Sequence, residues 1–212
     1  LNLDFLNELF NKKDLINDFY SPVSLDDFPY PDWGSYTKKF PLRNDFFSLN
    51  QKIAVPLLGT RGCPYSCFFY CTYPLQQGRK VRARSVENII DEIKFWKKEL
   101  NTNKFVFRDP VFSINRKHTI EFCKQVIDQK LNITFMVETH LNNLDDEMIP
   151  LLRKAGLELV YVGVESSSHF VLKDMQRFTV EHDKQFQVIK KCEDTGIKVK
   201  TMFIIGNPED TK

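Results

Sequence analysis

At 212 residues and 42% hydrophobic, the chain is long enough to bury one good core, and length alone predicts one domain with at most an appendage. Its net charge is only +2, with Lys and Arg spread along the chain, so composition gives no case for a nucleic-acid or membrane-surface partner. No apolar run reaches the roughly 18 residues of a membrane span and no signal peptide opens the chain, so the expectation is a soluble cytoplasmic protein acting without nucleic acid or membrane.

Residues 1–19 repeat apolar side chains at Leu3, Leu6, Leu9 and Phe10, the spacing of a short amphipathic helix. From 21 to 47 the text is dense in Pro, Asp and aromatics without a period, which predicts an extended linker hugging a surface. Phe28, Tyr30, Trp33 and Tyr36 are its expected packing anchors. Residues 1–50 are therefore read as helix plus linker, and 51–212 as the folded core. The first residue is Leu rather than Met and the last follows a strand end, so a fragment of a longer polypeptide is expected.

Beyond Gln51 strands and helices alternate. The predicted strands are 53–59, 104–108, 133–137, 159–164 and 199–205. The predicted helices are 85–100 with Ser85 as N-cap, 115–130, 145–155 closed by Gly156, and 168–195 closed by Gly196. Four complete strand-helix units and a fifth strand require a parallel sheet with right-handed crossovers. The fold expected is α/β, a partial (β/α) barrel of the TIM type.

In such barrels the site lies on loops at the C-terminal ends of the strands. Here those ends carry the cysteine loop, Arg108-Asp109-Pro110, Glu138-Thr139-His140, Glu165-Ser166-Ser167-Ser168 and Gly206-Asn207-Pro208-Glu209. Each one alone is an ordinary solvated loop; five on one rim describe a pocket. The cysteine loop, GTRGCPYSCFFYCTYP, brings Cys63, Cys67 and Cys71 within nine residues. The total of five cysteines is odd and clustered, unlike a secreted disulfide framework, and Cys123 and Cys192 in helical patterns read as buried core thiols. Three thiolates suit a soft metal, either zinc or an iron-sulfur cluster. A closed zinc site needs a fourth ligand, and His118, His169 and His182 are remote in sequence, with only His140 within reach of the rim. A cubane on three thiolates keeps one iron open for a substrate.

The cysteine loop, the order of strand ends and the segments GVESSS and FIIGNPED resemble the radical S-adenosylmethionine (radical SAM) superfamily, in particular the subgroup with an N-terminal cobalamin-binding domain. The resemblance covers residues 51–212, and DDFPYPDW resembles the segment joining the two domains. It implies a 4Fe-4S cluster on Cys63, Cys67 and Cys71 that binds SAM at its open iron and cleaves it reductively to a 5'-deoxyadenosyl radical, which abstracts hydrogen from a small-molecule substrate. It further implies an electron donor such as flavodoxin or ferredoxin and cobalamin held by a domain outside this chain, with the reaction left open among cobalamin-dependent methyl transfer, methylthiolation, ring rearrangement and other carbon-centred chemistry that share these motifs.

Carried over by position, Tyr70 lies near the adenine, and Arg108 and Asp109 near the methionine amino group. Glu165 and Ser166 approach the ribose or methionine, Arg177 pairs with the carboxylate, and Gly206, Pro208 and Glu209 lie beside the adenine. Glu138 enters only as a rim position facing SAM or substrate. The family spacing is Cys-x3-Cys-x2-Cys, whereas this chain has one more residue in the second gap, most simply Phe68 or Phe69. A non-catalytic zinc or inert-cluster module is the alternative that this departure keeps open.

Overall fold

The computed structural model describes residues 24–39, 54–65, 67, 70–177, 181–207 and 210. The helix expected at 1–19, the inserted phenylalanines and the rim positions Pro208 and Glu209 lie outside them.

The described part of the predicted linker is not wholly extended. A 3-10 turn, Leu25–Asp27, is followed by a helix, α1 (Trp33–Lys39). The Asp32 carboxylate accepts from Ser35 N at 2.9 Å, the local bond by which an acidic residue starts a helix. The segment does hug a surface. Asp26 accepts from Ser85 N at 2.9 Å, and Tyr30 and Trp33 pack on the core, whereas Phe28 and Tyr36 are exposed.

Five strands form one sheet in the order β1 (Ala54–Leu57), β4 (Lys104–Phe107), β5 (Thr134–Thr139), β6 (Leu157–Glu165) and β7 (Lys198–Phe203). Every neighbouring pair is parallel. Helices α3 (Val86–Glu99), α4 (Arg116–Asp128), α5 (Met148–Ala155) and, after a short α6 (His169–Asp174), α7 (His182–Asp194) fill the connections. This is the expected α/β partial barrel. Pro56 sits in β1, which pairs only with β4 among the described strands, the edge position where a missing N–H is tolerated.

The helix signals stand where local chemistry put them. Ser85 Oγ accepts from Asn88 N, Asn115 Oδ1 accepts from His118 N, and Gly156 ends α5 at φ 111°. A Cβ at Gly156 would lie 2.1 Å from Ile133 O, so only glycine fits. Several boundaries differ, three of them for visible reasons. The Asp145 carboxylate accepts from Glu147 N and Met148 N and holds the chain out of helix until 148. Strand β5 runs on through Glu138 and Thr139 because pairing with β6 continues to Thr139. The helix predicted over 168–195 is two helices, since Gln176 turns left-handed at φ 49° and Arg177 N closes back on Leu172 O.

A feature the periodicity did not show is a two-stranded antiparallel pair, β2 (Thr60–Arg61) with β3 (Arg82–Ala83), enclosing a short helix, α2 (Tyr73–Gln77). This pair carries the cysteine loop. Outer-face residues of the sheet pack with the helices into the main core, while the inner face holds a thin apolar layer of Val106, Met136, Leu159 and Tyr161.

Candidate cluster and cofactor site

The cysteine loop leaves β2 through Gly62, at φ 99°, where a Cβ would fall 2.2 Å from Lys80 O. Its root is pinned at Gly62 N, which donates to Gln77 Oε1 at 3.3 Å, and at Cys63 N, which donates to Gly78 O at 3.0 Å. Farther along, Tyr65 donates to Asn143 Oδ1 at 3.2 Å and packs on the His140 ring at 5.0 Å. His140 thus meets the loop through Tyr65. The loop is fastened to both the hairpin below it and the exit of β5.

Cys63 is buried, and Cys67 and Cys71 are half-buried; all three are free thiols. Burial pushes the Cys63 thiol up, and the neighbouring Cys71 and Cys67 add to the shift, while Arg177 opposes it. The three sulfurs therefore share one electrostatic environment. Among the described residues no three His, Cys, Asp or Glu side chains converge as a set for a single ion. Cys123 and Cys192 are the buried core thiols expected.

Arg177, 110 residues from Cys67 in sequence, donates to its Sγ at 3.6 Å. It also donates to Gly163 O at 2.7 Å and lies 3.7 Å from Glu165 Oε1. Burial works against the guanidinium charge, but the bond to Cys67 and the nearby Tyr70 and Glu165 hold it above its ordinary value. Burial raises the Glu165 carboxyl, and Arg177 only partly offsets this. Glu165 itself is left-handed at φ 67° beside a register shift against β7, the kind of strained strand end that re-aims a side chain at a site. A Cβ at Gly163 would collide with the Glu165 carboxylate at 2.1 Å, so the pair depends on that glycine.

A second charged cluster stands on the inner ends of β4 and β5. Arg108 pairs with Glu138 at 3.0 Å, and Tyr73, two residues past Cys71, donates to Glu138 at 3.4 Å. Tyr70 is held in its neutral form by burial first and by its hydrogen bond to Cys67 second. Ser166 Oγ accepts from Ser168 N at 3.1 Å within the β6 exit turn. Gly206, at φ 96°, has no neighbour among the described residues where a Cβ would point, and beside it Asn207 is buried with its Oδ1 unpartnered among the described residues.

Asp109 departs from the expectation. Its side chain is 1% exposed and turned to the outer side of the sheet, accepting from Gly59 N at 3.1 Å and Thr60 Oγ1 at 2.6 Å. It cannot reach a ligand on the inner face; it ties the exit of β4 to the root of the cysteine loop. Burial lifts its carboxyl to about 6 despite these bonds. Tyr73, Tyr65 and Asn143 are site residues that the strand-end reading passed over. Tyr65 and Tyr73 had a local signal, each standing two residues past a cysteine of the loop.

The donor set fits a cluster with a bound cofactor. Three thiols sit on one pinned loop, an arginine faces one of them, and at the far end of the rim a glycine and a buried carbonyl oxygen have no neighbour or partner among the described residues. Comparison with known proteins agrees. Residues 57–212 match the family model of the Radical SAM superfamily. The chain is 30% identical over 184 residues to an anaerobic magnesium-protoporphyrin IX monomethyl ester cyclase of Rubrivivax gelatinosus, covering 85% of this chain and 32% of the relative. It is 27% identical to the cytidylyl-2-hydroxyethylphosphonate methyltransferase of Streptomyces wedmorensis, covering 87% and 35%. The fold matches that of the radical SAM methyltransferase TsrM from Kitasatospora setae, solved with cobalamin and a [4Fe-4S] cluster. The TM-score is 0.69 at 18% identity, over 76% of this chain and 32% of that one. The chain thus spans about a third of the relatives it matches, and it belongs to the radical SAM superfamily.

Proposed function

We propose that this chain is the core of an enzyme that reductively cleaves SAM, with Cys63, Cys67 and Cys71 holding a 4Fe-4S cluster. The observation that carries the reading is Arg177 bonded to Cys67 and facing Glu165, a cation and an anion fixed beside the three thiols on the inner rim. When bound, the cluster supplies the electron that splits SAM into methionine and the 5'-deoxyadenosyl radical that takes hydrogen from substrate.

The residues supply binding and orientation. Among the described residues Arg177 uses two of its five N–H donors and offers the rest to the SAM carboxylate in the paired geometry guanidinium favours. Glu165 and Glu138 present carboxylates to the methionine ammonium. Ser166 keeps a hydroxyl proton to donate to the ribose, and Tyr70 packs toward the adenine. Gly206 and Asn207 close the adenine end, the Asn207 oxygen accepting the exocyclic amine; Pro208 and Glu209 belong to the same segment. Asp109 acts by position only, holding Gly59 and Thr60 so that the loop starts where the thiols are needed.

The reaction class we propose is cobalamin-dependent methyl transfer, with cobalamin held by a part of the whole protein outside these residues. Support comes from relatives named as methyltransferases and from fold neighbours solved with cobalamin. Residues 1–50 are then the tether, which Asp26 and Tyr30 seat on α3. The electron comes from a flavodoxin or ferredoxin type of donor.

The test is anaerobic reconstitution with iron and sulfide, followed by electron paramagnetic resonance of the reduced protein with and without SAM. A cluster signal that shifts on adding SAM is expected. A signal indifferent to SAM, or stoichiometric zinc with no cluster, would overturn the reading.

A further inference from the structure

Between the N-terminal segment and the edge of β1 that is unpaired among the described strands lies a cavity of about 490 Å³, within the size range of small-molecule sites. Its floor is Pro56, Leu57 and Leu58, and its wall is Phe28, Tyr30 and Trp33. That wall is fixed in place: Tyr30 donates to Asn88 O at 3.4 Å and its ring lies 5.8 Å from the Arg84 guanidinium. Flat rings and proline faces make a box suited to a planar apolar body.

Three arginines line this space, and they differ in how far they are committed. Arg84 is bound to Glu92, Asn88 and Leu58 O. Arg108 is paired with Glu138. Arg61 lines the cavity, is exposed, and its side chain has no ion pair or hydrogen bond among the described residues. The Arg61 side chain only donates, so its complement is an anionic oxygen group on an otherwise apolar molecule.

The cavity also adjoins the cysteine loop. Arg61 stands two residues before Cys63, and Arg108 lines the cavity while pairing with the same Glu138 that accepts from Tyr73. We propose that this cavity binds a flat, apolar organic carboxylate, held by Arg61 against the aromatic wall, and that this ligand is the substrate. Its identity as the substrate rests on the SAM-cleaving reading above; its binding does not.

The test uses the reconstituted chain and a matched pair of fluorescent probes, 1-pyrenebutyrate and 1-pyrenebutanol, with affinities from fluorescence anisotropy. The acid should bind about tenfold tighter than the alcohol, the scale of one charge-assisted hydrogen bond. Arg61→Gln should erase that preference, and Arg61→Lys should restore part of it. Equal affinity for the two probes, or an undiminished preference in Arg61→Gln, would overturn the site. In protein whose cluster signal responds to SAM, the acid should alter that signal further. A silent signal there would overturn the substrate assignment and leave SAM cleavage standing, whereas a cluster blind to SAM would strike the enzyme reading and leave the probe affinities to decide the cavity.

Discussion

On the outer face of the sheet, Phe105, Phe107 and Phe135 lie buried against the helices with Phe112 and Phe122, and Phe107, Phe112, Phe122 and Phe135 contact one another ring to ring at 4.8 to 6.0 Å. On the inner face of the same strands, Val106 gives way to Arg108 and Met136 to Glu138. The alternation of a strand puts successive side chains on opposite faces, so β4 and β5 each serve both purposes at once. Each buried aromatic is worth about 1.5–3 kcal/mol of transfer free energy, and edge-to-face pairs add about 0.5–1.5 kcal/mol. The inner face buries little apolar surface and displays charge where the strands end. Stability and chemistry are thus separable by face, which mutation can test.

The largest effect should come from the inner rim. Cys63→Ala, Cys67→Ala or Cys71→Ala should each reduce iron after reconstitution to background, and full loading in all three would refute the ligand set. Phe122→Ala, on the outer face, should cost about 3–5 kcal/mol in denaturant unfolding, while the folded fraction still shows a cluster signal that moves with SAM. Loss of that response would mean the faces are not separable.

Asp109 lies between the two. Folded, it keeps its proton up to about 6; unfolded, it releases it near 3.9. In that window the folded form holds more protons, so its stability contribution is full below the unfolded value and is lost as pH rises through the folded one, by at most about 3 kcal/mol. Asp109→Asn cannot titrate and should flatten this slope in unfolding measured from pH 4 to 7. Its amide can still accept from Gly59 N and donate to Thr60 Oγ1, so iron loading should survive. Asp109→Ala should impair loading.

Arg177→Ala should weaken SAM binding by about 10- to 100-fold in equilibrium dialysis, the scale of one or two hydrogen bonds to a charged group, with iron content retained. Unchanged affinity would remove Arg177 from the cofactor's surroundings. The smallest effect belongs to Cys123→Ala, where iron content should not move; a loss would mean that a core thiol had been mistaken for a bystander.

Much of this was legible in residue order. Ser85 and Asn115 announce their helices, and Gly156 its helix end, because caps are local chemistry. The hairpin under the cysteine loop was not legible, since strands of two residues carry no alternation to read. Asp109 was placed on the rim by its position after a strand, yet period-2 counting from the outward Phe107 assigns 108 inward and 109 outward, and the structure follows that count.

By itself the sequence determined the alternation of strands and helices, the parallel sheet this requires, and the delivery of three thiols to one loop after the first strand. These are set by periodicity, capping and spacing over a few residues. Only the tertiary structure decided that Arg177 meets Cys67 across 110 residues, that Tyr73 and Arg108 share Glu138, and that Arg61 faces a cavity walled by the N-terminal segment. Such contacts depend on how the curved sheet brings its strand ends together and on how the preceding segment folds over its edge, and no local pattern encodes either.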